Sequence, residues 1–173
     1  VDKEFWCSIP DGSLVFGYST KIENLPAGVT YVSLNNDSAF IDANNELTAR
    51  AFRQIVEQKY HGKLKKILFC GYGKLVAALE KKFADWKISI LNFNWHKVAE
   101  VTDKYGKDAY FKTAPFHEFP VVVNTIPSEV IKVAEWQQSK LKTQIYDLAS
   151  APFGFDWTGV EQDNFDYHIL PGL

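Results

Sequence analysis

Residues 65–83, "KKILFCGYGKLVAALEKKF", read as a β-strand, a tight glycine turn and a helix, the order in which a dinucleotide-binding unit begins. Gly71 allows the tight turn. Gly73 lets backbone approach a pyrophosphate at the helix N-terminus, where N–H groups and the helix dipole favour an anion. The third glycine of the fingerprint, which normally lets helix and strand pack closely, is replaced by Val76. A branched side chain there adds volume, and overpacking typically costs about 1–3 kcal/mol unless the helix moves outward. Two readings stay open from the turn alone: a nucleotide site, or a strand-to-helix turn without a ligand.

Working outward, the rhythm is regular. "KILFC", "ISILNF", "VVVNT", "TQIYDLA" and "DYHIL" are near-continuous apolar strands, alternating with helical stretches at 75–83, 97–105 and 128–140. Such runs are expected when helices cover both faces of a parallel sheet. The expected fold class is therefore α/β, a Rossmann-type doubly wound parallel sheet. "KILFC" should be central, with "ISILNF" on one side and "VVVNT" and "QIYDL" on the other. Upstream, Asn45 is the expected N-cap of a helix from Glu46 to about Tyr60, with Leu47, Ala51 and Ile55 on one face and Gly62 as its end. Residues 1–44 differ in texture: "SLVFGYS" and "VTYVSL" read as two short strands, too little to bury a core alone. This gives a short N-terminal α/β remnant (1–44) and a dinucleotide-binding domain (45–173). The remnant must pack on a helix, on the larger domain or on a second copy, and a homodimer through it is the expectation.

Composition narrows the classes. The 173 residues are 46% hydrophobic and 15% aromatic, enough for a core, and a formal net charge of −2 makes no electrostatic case for nucleic acid or an anionic membrane. No apolar run approaches the roughly 20 residues of a membrane span, and the N-terminus has no signal-peptide pattern. Cys7 and Cys70 lie far apart, and Cys70 ends an apolar strand, so a buried reduced thiol and a cytoplasmic setting are expected. The chain starts at Val1 and contains no Met, so an upstream native start is expected. His61, His96, His117 and His168 are scattered without metal-ligand spacing, and no serine lies in a nucleophile elbow. No metal site is expected.

Three segments after strand ends hold candidate site residues. In "NFNWHK" (92–97) no acid is present to hold ribose hydroxyls. Asn92 can hydrogen-bond a ribose and Lys97 can reach a phosphate; equally, these residues suit ordinary helix-capping and surface roles, the reading favoured for Asn94. "VVVNTIPSEV" and "QIYDLASAPFGFDW" place Asn124 and Asp147 at strand ends, followed by loops at the carboxyl edge, where open α/β sheets bind ligands. Both residues equally suit loop-backbone satisfaction.

Taken in order, "CGYGKLVAALEKKF", "VVVNTIPSEVI", "IYDLASAPFGFDW" and "HILPGL" resemble the family formed by the A subunits of dipicolinate synthase, two-domain relatives of the 2-hydroxyacid dehydrogenases. "FGYSTKI", "GVTYVSL" and "IDANNELTAR" fit the end of that family's N-terminal domain and its interdomain helix more loosely. The resemblance implies an NAD(P)-dependent oxidoreductase that binds NADP or NAD and acts with a flavoprotein-like B subunit to make dipicolinate. It implies Gly71, Tyr72, Gly73, Lys74 and Leu75 on the pyrophosphate. Thr125, Ile126 and Pro127 would lie beside the ribose and nicotinamide, with Leu148, Ala149 and Ser150 facing them. It assigns no catalytic residue within this chain. The departures are Lys74 for the family's arginine, Val76 for the last glycine, Phe93 where an arginine meets a 2′-phosphate, and Ala151, Pro152, Phe153 and Gly154 after the Asp-Leu-Ala-Ser. Most of the N-terminal domain, and with it half of the substrate cleft, is also missing. The alternative is a non-catalytic interaction or oligomerisation module that has lost nucleotide binding. Substitution Gly73→Val separates the two: if a nucleotide binds, its affinity for NADPH, measured by calorimetry, should fall by at least about ten-fold, because the branched side chain occupies the phosphate's space.

Overall fold

The computed structural model describes residues 3–19, 21–61, 63, 65–136, 143–160, 165–170, 172 and 173. The chain divides into two compact units, Val1–Asn45 and Glu46–Leu173. In the first, α1 (Lys3–Cys7) precedes two short strands, β1 (Leu14–Gly17) and β2 (Thr30–Ser33). The strands pair in parallel as a separate two-stranded sheet, as expected for "SLVFGYS" and "VTYVSL". Leu14, Phe16 and Tyr18, at alternate positions of one stretch, remain 56%, 58% and 62% exposed.

The division falls inside helix α2 (Ser38–Tyr60). This helix begins well before the expected start. Asp37, not Asn45, caps it, its Oδ1 accepting the N–H groups of Ala39 and Phe40 at 2.9 and 3.1 Å. The buried face is correspondingly different: Thr48, Ala49, Phe52 and Val56 are buried, Ile55 and Ala51 half-buried, and Leu47 is exposed. The expected stop at Gly62 lies outside the described residues.

The second unit is built on a six-stranded sheet. Its strands are β3 (Lys66–Cys70), β4 (Lys87–Asn92), β5 (Ala109–Phe111), β6 (Val121–Asn124), β8 (Gln144–Asp147) and β10 (Asp166–Ile169). Short strands β7 (Ile131–Lys132) and β9 (Phe155–Asp156) pair with each other outside it. The order β10-β8-β6-β3-β4-β5 is parallel throughout. That is the expected placement of "KILFC", "ISILNF", "VVVNT" and "QIYDL", and it is the doubly wound Rossmann order. The chain reverses direction across the sheet between β3 and β6.

Alternation along β3 sorts the core into two layers. Ile67 and Phe69 join Ala49, Phe52 and Val56 of α2, Val76 and Leu79 of α3 (Lys74–Lys82) and Val101 of α4 (Val98–Tyr105). Leu68 and Cys70 face the other way, onto Phe116, Phe119, Ile131, Val133 and Phe155. The described α-helices of this unit thus cover one face. The other is covered by loops, 3-10 turns and the β7–β9 pair, which corrects the expectation of helices on both. The helix expected at 128–140 is replaced over its described part by β7 and a 3-10 turn at Val133–Trp136; residues 137–140 lie outside the described residues. The reason is tertiary. The N–H groups of Val130 and Ile131 donate to the Gly154 carbonyl, and Ile131 pairs with Phe155, so long-range pairing overrides local helical pattern in a β-branched run.

Val76 is fully buried in the first core layer. The helix has therefore been fitted around the missing third glycine, with the valine serving as packing. Val76→Gly should destabilise the unit by about 2–4 kcal/mol, from the cavity plus the cost of glycine in a helix, read as a lower urea midpoint at an unchanged m-value.

Candidate functional site

The carboxyl edge of the sheet collects the turns after β3, β4, β6 and β8. After β3, Gly71 adopts φ +111°, and a Cβ there would stand 2.4 Å from Thr125 Oγ1. Both conformation and space demand glycine. Its N–H donates to the Leu91 carbonyl at 2.8 Å, while Thr125 donates its N–H and hydroxyl to the Cys70 carbonyl at 3.0 and 2.9 Å. The turn is thereby tied to strands on both sides, at the point where the sheet order reverses.

Gly73 is different. It caps α3 in extended backbone (φ −122°), a conformation open to any residue, and a Cβ built on it would meet nothing within 4 Å. As a glycine, the N-cap of α3 makes no side-chain hydrogen bond, and the helix N-terminus begins beside an open space. Gly73 and Lys74 are exposed, and Tyr72 and Leu75 half-buried. The Tyr72 ring packs edge-on to Tyr105 at 6.2 Å, with Lys104 Nζ 5.9 Å from its centroid.

After β4, Asn92 is buried, and its amide closes on Asn94: Oδ1 accepts the Asn94 N–H and Nδ2 donates to the Asn94 carbonyl, each at 3.0 Å. Asn94 in turn caps a 3-10 turn at Trp95–Lys97, accepting the His96 N–H at 3.0 Å, the capping role expected for it. The Lys97 ammonium, a candidate for phosphate, lies 2.7 Å from Glu100 Oε2 and holds that carboxyl below its ordinary value.

After β6 and β8 the two strand-end residues meet. Asn124 Nδ2 donates to Asp147 Oδ1 at 2.8 Å and to the Ile126 carbonyl at 2.9 Å, and Asn124 Oδ1 accepts the Ile126 N–H. Asp147 is fully buried and accepts three further bonds, from the N–H groups of Ala149 (3.0 Å) and Gly154 (3.1 Å) and the Tyr167 hydroxyl (3.1 Å). Burial and the Asp147 charge push the Tyr167 hydroxyl well up. A Cβ on Gly154 would stand 2.3–2.5 Å from the Asn124 side chain. Asn124 and Asp147 thus satisfy loop backbone, one of the two roles that their strand-end positions allow. Their work shapes the loops that carry the half-buried Thr125 and Ile126, exposed Pro127, buried Leu148 and Ala149, and exposed Ser150. Sequence reasoning does not find Gly154 or Tyr167. The only signal for either is a glycine in a loop after a strand-end acid.

Among the described residues no group of three or more His, Cys, Asp or Glu is placed to hold a metal ion, and no helix is long and apolar enough to cross a membrane. No family model and no curated protein sequence matches the chain. Its fold is shared with solved structures. The A subunit of dipicolinate synthase from Bacillus halodurans is 20% identical at a TM-score of 0.74, over 99% of this chain and 62% of that one. Its counterpart from Bacillus subtilis is 18% identical at 0.70, over 99% and 61%. Glutamyl-tRNA reductase from Methanopyrus kandleri is 17% identical at 0.51, over 70% and 34%. The chain therefore spans less than two thirds of the length of the two dipicolinate synthase structures. The shared architecture is the α/β Rossmann-like fold.

The buried carboxylate generates a direct test. Asp147→Asn turns an amide N–H₂ toward donors and leaves at least one of them without an acceptor. It should destabilise the unit by about 1–3 kcal/mol, measured by urea unfolding, whereas Tyr167→Phe, which removes one donor, should cost about 1 kcal/mol.

Proposed function

We propose that the unit Glu46–Leu173 binds a nicotinamide dinucleotide, NADP or NAD, and serves an oxidoreductase of the kind that the A subunit of dipicolinate synthase represents. One observation carries the reading: α3 begins at a glycine N-cap whose missing side chain leaves open space, at the reversal of the sheet order. A pyrophosphate placed over Gly71, Tyr72, Gly73, Lys74 and Leu75 would receive helix N–H groups and the favourable end of the dipole. Thr125, Ile126 and Pro127 line one side of the same edge, and Leu148, Ala149 and Ser150 belong to the neighbouring loop. When bound, the dinucleotide supplies the hydride chemistry, and the chain's part is to hold and orient it.

On this reading residues 1–44 are the remnant of a substrate-side domain, the protein acts in the cytoplasm as a homodimer, and its partner in the reaction is a flavoprotein-like B subunit. A second reading, a Rossmann-fold interaction module without a ligand, draws on a specific observation. The polar side chains best placed at the strand ends, Asn92, Asn124 and Asp147, are bonded to their own loops.

Calorimetric titration of the purified chain with NADPH and NADH decides between them. Saturable binding of either, abolished or weakened in Gly73→Val, supports the nucleotide reading. Gly73 has room for a side chain in the fold, so a loss there reports the ligand. Absence of binding by both nucleotides leaves the module.

A further inference from the structure

The end of β4 holds a feature that the dinucleotide reading does not use. Trp95 is 69% exposed, more than any other large apolar side chain among the described residues. Its ring lies against that of His96, the centroids 3.5 Å apart and the planes tilted by 33°. An exposed indole is costly in water, yet this one is firmly presented. Two successive asparagine turns, Asn92 onto Asn94 and Asn94 onto His96, fix the backbone that carries it. With the imidazole covering one side, the indole's exposed surface offers a flat π-face beside the strand end where a bound dinucleotide's adenosine half would lie.

The same segment lacks the groups that read the adenosine ribose. Residues 92–97 contain no Asp, Glu or Arg. The Asn92 amide is buried against Asn94, and Lys97 is paired with Glu100 at 2.7 Å. Lys112, whose N–H donates to the Asn92 carbonyl, carries its ammonium 5.5 Å from the Phe111 ring centroid. Neither a carboxylate for a 2′-hydroxyl pair nor an arginine fork for a 2′-phosphate stands here.

Resting on the dinucleotide reading, we infer that Trp95, backed by His96, is the adenine-stacking platform of this site. The chain then grips its cofactor by the base rather than by the ribose and is nearly indifferent to the 2′-phosphate. Stacking suits that task, because every base has a π-face and the contact ignores ribose substituents.

The test is calorimetry on the full chain with NADH, NADPH and ADP-ribose, which keeps adenosine and pyrophosphate but lacks nicotinamide. NADH and NADPH should bind with affinities less than about ten-fold apart. Trp95→Ala should weaken all three ligands alike, by about ten-fold, with circular dichroism unchanged because the side chain is exposed. Trp95→Phe should restore most of the loss, and Lys112→Gln should leave the NADPH-to-NADH ratio unchanged. Unaltered affinities in Trp95→Ala, a ten-fold or greater preference in the wild type, or a selective loss of NADPH in Lys112→Gln would overturn the inference while leaving the dinucleotide reading standing. Failure of all three ligands to bind the wild type overturns both.

Discussion

The carboxyl edge of the sheet depends on one buried carboxylate. Asp147 is a fully buried carboxylic side chain, and its four donors are all neutral: an amide, two backbone N–H groups and a phenol. A charge held this way is solvated by fixed dipoles, and each bond to it is stronger than one between neutral groups. The donors come from β6, from both ends of the loop after β8, and from edge strand β10. The Gly154 carbonyl extends the network by accepting from Val130 and Ile131. One side chain therefore ties both ends of its own loop to β6 and β10, and the loop after β8 takes its shape from it.

The two glycines of the turn divide the labour. Gly71 is locked by backbone conformation and by Thr125, so its identity belongs to folding. Gly73 is under neither constraint, so in this fold its lack of a side chain serves nothing internal. Val76 reverses the pattern, because the third position of the fingerprint has been absorbed into the core. Among the fingerprint's glycine positions, the one that changed, Val76, is buried in the core, and the exposed one, Gly73, did not change.

Much of the fold is legible because buried parallel strands announce themselves as apolar runs, as β3, β4 and β6 do most plainly, whereas edge strand β10 has no buried residue. The illegible parts are those settled by distant partners. Nothing local marks Ile131 as the partner of Phe155, and β-branched residues between Ser128 and Val133 suit either state. The start of α2 is hidden because Asp37 and Asn45 are equally good caps on paper, and it is Asp37 that accepts the first N–H groups. At the site, the turns are legible and the duties of their side chains are not. Asn92, Asn124 and Asp147 suit either ligand binding or loop satisfaction on paper, and only the structure shows Asn92 bonded to Asn94 and Asp147 to Asn124, Gly154 and Tyr167.

The two free thiols differ in a useful way. Cys7 is exposed in the first unit, whereas Cys70 lies sealed at the end of β3, its thiol pushed up by burial and by the Asp147 charge. An alkylating reagent meets the first at once and the second only when the sheet opens. The chain thus carries a built-in pair of clocks, one running at the rate of the free reagent and the other at the rate set by the opening equilibrium of its central strand.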